Sequence, residues 1–122
     1  MKFMSGFSSK TRQYIARELE MALISRQQGN EGRARVCARR AAGAAAKEFL
    51  IRKGIVSYHL NAWDALNFLA QQDFPVEIQP SLRILTMRVD ENFSLPVEAD
   101  VIQEAQKLCE ILEAFLGKGE DD

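Results

Sequence analysis

Residues 33–53, RARVCARRAAGAAAKEFLIRK, constrain the fold more than any other stretch, because alanines and strong helix formers are interleaved with seven cationic side chains and a single acid. Such a run favours helix by intrinsic propensity alone. It reads as a central helix of about 30 Å carrying cationic seams. A step of 100° per residue places Arg33, Arg40 and Lys47 within about 40° of one another, and gathers Arg35, Arg39 and Lys53 on a second seam. Between the seams lie two apolar faces, Ala38, Ala42, Ala45 and Phe49 on one and Val36, Gly43 and Leu50 on the other. Side chains this small let neighbouring backbones approach closely, so the helix is expected to be contacted on more than one side.

The flanking segments supply its neighbours. Ser8 or Ser9 can cap a first helix over 10–28, in which Ile15, Leu19, Ala22 and Leu23 form the apolar stripe. The GNEG run at 29–32 ends it, and Gly54 ends the second helix. Asn61 followed by Asp64 approximates a capping box at the start of a third helix carrying Trp63, Leu66, Leu69 and Ala70, closed by the two prolines of DFPVEIQPS. Leu82, Leu85 and Val89 fit a short helix over 81–89, since no second strand is present to pair with a strand there. Val101, Ala105, Leu108, Leu112 and Phe115 give the last helix its apolar face, and Gly117 is expected to terminate it. The expectation is one all-α domain over 1–122, an up-and-down bundle of four long helices and one short one, with about 1–8 and 118–122 frayed.

The charge is divided along the chain. Residues 1–60 hold 12 Lys/Arg against 4 Asp/Glu, a net of +8, whereas residues 61–122 hold 4 against 13, a net of −9. The basic half can serve an anionic partner; alternatively, the two halves neutralise each other within the fold or across a dimer. Arg33, Arg40 and Lys47 accordingly read either as a ladder for phosphates or as a solvated or acid-paired seam. Cys37 and Cys109 lie far apart with no CxxC spacing and one histidine in the chain, which argues against a zinc site or a disulfide framework and for buried thiols in a reducing compartment. No apolar run approaches the roughly 20 residues of a membrane span. A cytoplasmic protein without membrane contact, metal or cofactor is expected.

No phosphate-binding glycine loop, metalloprotease helix or nucleophile elbow occurs, and any histidine-based catalysis has only His59 to draw on. His59 stands near the expected start of the third helix. Trp63, Phe68 and Phe74 could stack on bases, although Trp63 and Phe68 sit at helical spacing suited to the core.

The succession ARRAAGAAAKEFL (38–50), YHLNAWDALNFLAQQ (58–72) and LTMRVDENFSLP (85–96), followed by a long amphipathic helix, resembles the HEPN family, the "higher eukaryotes and prokaryotes nucleotide-binding" domains. The resemblance implies a bundle of four or five helices, usually a homodimer, among proteins associated with nucleotides or RNA. Many of these are toxin-type ribonucleases of toxin–antitoxin systems, and others are non-catalytic partners of nucleotidyltransferases. Active members carry an arginine followed four to six residues later by a histidine. Here Arg88 fits the arginine, but Phe93 stands in the histidine's place and cannot transfer a proton. The resemblance therefore implies a binding protein engaging nucleotide or RNA phosphate through Arg33, Arg40, Lys47 and Arg88. One alternative is a ribonuclease that uses Arg88 with His59 brought near by folding; another is an adaptor whose apolar helix faces bind a protein.

Overall fold

A computed structural model describes residues 6–72, 75–88 and 99–121, with backbone alone for 118–121. It contains helices α1 (Ser9–Gln27), α2 (Glu31–Arg52), α3 (Ala62–Ala70), α4 (Gln79–Leu85) and α5 (Val101–Asp121), with a 3-10 turn over Val76–Ile78 leading into α4. The described residues include no strand. Three helices are long and two short, where the sequence led us to expect four long and one short. The apolar pattern of 62–70 is too brief to build a fourth long rod, and the proline-bearing segment after it forms the 3-10 turn and α4. Pro80 falls in the first turn of α4, where its fixed φ suits the helix and its missing N–H loses nothing, so this proline opens a helix and does not close one.

Local chemistry sets most of the helix ends. Ser8 caps α1, its hydroxyl accepting from the Thr11 N–H at 3.2 Å. Asn61 caps α3, accepting from the Asp64 N–H at 2.7 Å while its amide donates to the Asp64 carboxylate at 3.0 Å. α1 and α2 both end in glycines at positive φ, Gly29 at 80° and Gly54 at 72°. At each the next residue's N–H reaches back five residues, Asn30 to Ser25 O at 2.8 Å and Ile55 to Leu50 O at 2.9 Å, which satisfies carbonyls the helix end leaves open. Asn30 then caps α2 by accepting from the Arg33 N–H at 3.0 Å, so Glu31 and Gly32, expected in the turn, belong to the helix. α5 continues through Gly117 to Asp121 instead of stopping there. An interior glycine costs about 1 kcal/mol relative to alanine and does not forbid the helix.

α2 is the central element and touches α1, α3 and α5, while α4 closes against α3 and α5. Ala38, Ala41, Ala42, Ala45 and Ala46 are fully buried along it, with Phe49 and Leu50 at its end. Gly43 is where α3 comes nearest: a Cβ added there would lie 2.6 Å from the Ala62 Cα. Leu66, Leu69, Leu82, Leu85, Leu108 and Leu112 complete the core from the other helices. Val36, grouped by spacing with Gly43 and Leu50, stays 45% exposed. Residues 6–8, expected to fray, are packed: Phe7 is 3% exposed and its N–H donates to Glu113 at 3.1 Å.

Ion pairs fix the direction of α5. Arg12, near the start of α1, meets Glu113 at 2.7 Å, and Arg26, near its end, meets Asp100 at 2.9 Å and Glu31 at 2.7 Å. α5 thus runs antiparallel to α1 and alongside α2. Part of the opposed charge of the two chain halves is neutralised in these contacts within the fold.

Candidate binding groove

α1 and α2 form an antiparallel hairpin whose outer side carries a groove of about 490 Å³, lined by Lys10, Thr11, Tyr14, Ala44, Lys47, Glu48, Ile51 and His59. Each residue arrives there for a local reason. Lys47 and Ile51 lie one turn apart on α2, Lys10 and Tyr14 one turn apart on α1, and the connection after Gly54 brings His59 to the same side. Ser8 locks the closed end, because its N–H donates to both oxygens of Glu48, at 2.9 and 3.2 Å. Arg52 also donates to Glu48, at 2.8 Å, and to the Gly6 carbonyl. Although burial pushes the Glu48 carboxyl up, its hydrogen bonds to Arg52, Thr11 and Ser8 outweigh that and hold it below the ordinary range. Glu48 is therefore a bound anion shared between Arg52 and the Ser8 N–H, and among the described residues no ion pair joins it to Lys10 or Lys47.

Tyr14 marks how far the positive field extends. Burial and then Glu18 push its phenol above the ordinary value, against the electrostatic pull of Arg40 and Arg17. One carboxylate oxygen of Glu18 is buried without a hydrogen-bond partner among the described residues. Among the described residues no ion pair reaches Lys10, Arg33, Arg40 or Lys47. Arg33 and Arg40 are exposed, and Lys47 is half-buried at the groove floor.

The second seam of α2 has a different fate. Arg39 is half-buried and donates Nε–H to Leu85 O and Nη2–H to Met87 O, both at 2.9 Å, closing the end of α4. Burial, and then the nearby Arg35, lower its pKa from the usual arginine value. Arg88 lies over the Trp63 ring, 5.0 Å from its centroid. With Arg39, Trp63 and Met87 it lines a separate cavity of about 330 Å³. The sequence-derived candidates are thus divided: Lys47 and His59 line the groove and Arg40 adjoins it through Tyr14, Arg33 sits further along the same helix face, and Arg88 lines the other cavity. Phe93 lies outside the described residues, as does Phe74. Lys10 and Tyr14, absent from the sequence-derived set, were detectable only as the groove-side spacing of 10, 14, 17, 21 and 24 on α1.

Both thiols are buried. Cys109 donates weakly to Ala41 O at 3.7 Å, and burial pushes its pKa up to about 12. No helix among the described residues is long and apolar enough to cross a membrane. Compared with protein-family models, curated proteins and solved structures, the chain matches none.

Proposed function

We propose that this chain is a non-catalytic, HEPN-like binding module whose working surface is the α1–α2 groove and whose ligand is anionic. The observation that carries the reading is that Lys10 and Lys47 line one groove, with Arg40 one turn before Ala44 on the same face of α2, none of the three in an ion pair among the described residues, while the acid that lines the groove with them, Glu48, is held by Ser8 and Arg52. Phosphate of a nucleotide or RNA is the anion that the family resemblance implies. Tyr14 and Ile51 add an apolar flank to the charges. His59 lines this groove and Arg88 the cavity beside Trp63, so the reading rests on the groove's own cations and not on a pairing of Arg88 with His59.

Titration of a labelled single-stranded RNA at several salt concentrations tests the reading. Three phosphate contacts on a single strand give a slope of log K against log salt of about −2. Arg40→Gln with Lys47→Gln is expected to reduce that slope to about −0.7 without lowering the melting temperature. Binding that is insensitive to both substitutions would remove the groove from consideration.

A further inference from the structure

Resting on the reading of the groove as an anion site, we infer that its partner is an acidic amphipathic helix of another protein, laid lengthwise against α2. Arg33, Val36, Arg40, Ala44, Lys47 and Ile51 follow one another at steps of three or four residues, so they form one continuous outer face of α2. The face is about 27 Å long at 1.5 Å per residue, the length of five helical turns. Cations and aliphatic side chains alternate along it, and small Ala44 at its middle lets a partner backbone come close. Val36 and Ile51 are 45% and 36% exposed. α1 repeats the mixture on one face, where Lys10, Tyr14, Arg17, Met21 and Ile24 follow at steps of three or four residues, the first two lining the groove and the last 37% exposed.

A nucleic-acid strand answers the cations and leaves the aliphatic steps without a partner, since bases stack on aromatic rings and, among the described residues, only Tyr14 and His59 bring rings to the groove, while Val36, Ala44 and Ile51 offer none. A helix bearing leucine or isoleucine at i, i+3, i+4 and i+7 with Glu or Asp on both flanks answers both. Its aliphatic residues cover Val36, Ala44 and Ile51, and its carboxylates meet Arg33, Arg40 and Lys47, which are interleaved with them along α2, and Lys10 and Arg17 on α1.

The test uses a set of fluorescently labelled 21-residue helical peptides with this Leu/Glu pattern, scrambled peptides of identical composition, and a single-stranded RNA of matching charge. Patterned peptides are expected to bind at least tenfold more tightly than scrambled ones. Val36→Ser and Ile51→Ser are expected to weaken them about tenfold and leave RNA binding unchanged. Arg40→Glu with Lys47→Glu is expected to abolish binding, and peptides carrying Lys in place of Glu are expected to restore it. These are exposed or groove-edge positions, and circular-dichroism melts verify that each variant folds. RNA binding that depends on Arg40 and Lys47, with no preference for patterned over scrambled peptide, overturns the helix and leaves the anion site standing. Loss of any dependence on Arg40 and Lys47 overturns both. A wild-type dimer in sedimentation that Val36→Asp dissociates overturns the inference by showing a second copy of the chain in the groove.

Discussion

At Gly43 a single carbon atom decides whether α2 and α3 can meet. The added methyl of Gly43→Ala would run into the Ala62 backbone, which cannot rotate aside as a flexible side chain would. Overpacking of this kind costs about 1–3 kcal/mol, more than the gain in helix propensity returns, so a chemical denaturation midpoint below wild type is expected. A midpoint at or above wild type would mean that α3 does not approach this closely. Arg39 is a second such position. Arg39→Met leaves the Leu85 and Met87 carbonyls without their donor and is expected to cost about 1–3 kcal/mol. Because Met87 precedes the arginine stacked on Trp63, the fluorescence of this one tryptophan should change as well, whereas a purely solvated Arg39 would leave it unaltered.

Among the elements, the helix ends were the most legible part of the sequence. Ser8, Asn61, Gly29 and Gly54 act through bonds to residues within five positions, so their roles are written locally. Asn61→Ala should therefore cost about 1 kcal/mol, measured by thermal or denaturant unfolding. The errors have non-local causes. Asn30 looked like part of a turn because the same four residues serve both as the end of α1 and as the cap of α2. The run of α5 past Gly117 shows propensity yielding to an otherwise continuous helix. The site was half legible: Arg40 and Lys47 follow from the spacing of α2 alone, but their meeting with Lys10, Tyr14 and His59 depends on how the hairpin closes. The spacing of α2 already sets Arg39 on the other seam, whereas the placement of Arg88 beside Trp63 follows from where α4 ends.

For the whole molecule, carboxylates tie the first half of the chain together and to α5. Glu31 is held below the ordinary glutamate range, chiefly by its hydrogen bond to Arg26. Burial raises Asp100 and Glu48, but their hydrogen bonds, above all to Arg26 and Arg52, bring both below the ordinary carboxylate range. A carboxyl with a depressed folded pKa contributes stability that is fully present above its unfolded pKa and lost as the pH falls through the folded one. Stability is expected to be level above about pH 6 and to decline steadily below about pH 4.5, with Glu48→Gln flattening part of that decline. A profile that rises on acidification would contradict these assignments.

The central claim is that anions enter the α1–α2 groove and not the cavity beside Trp63. The most direct measurement is a nitrogen–proton NMR titration of the full chain with a short polyphosphate at low salt. Saturable shifts are expected at Lys10, Tyr14, Arg40, Ala44 and Lys47 and in the His59 backbone, with Trp63 and Arg88 unmoved. Shifts concentrated on the Trp63 indole and Arg88, or scattered over every basic residue of the first half, would contradict it.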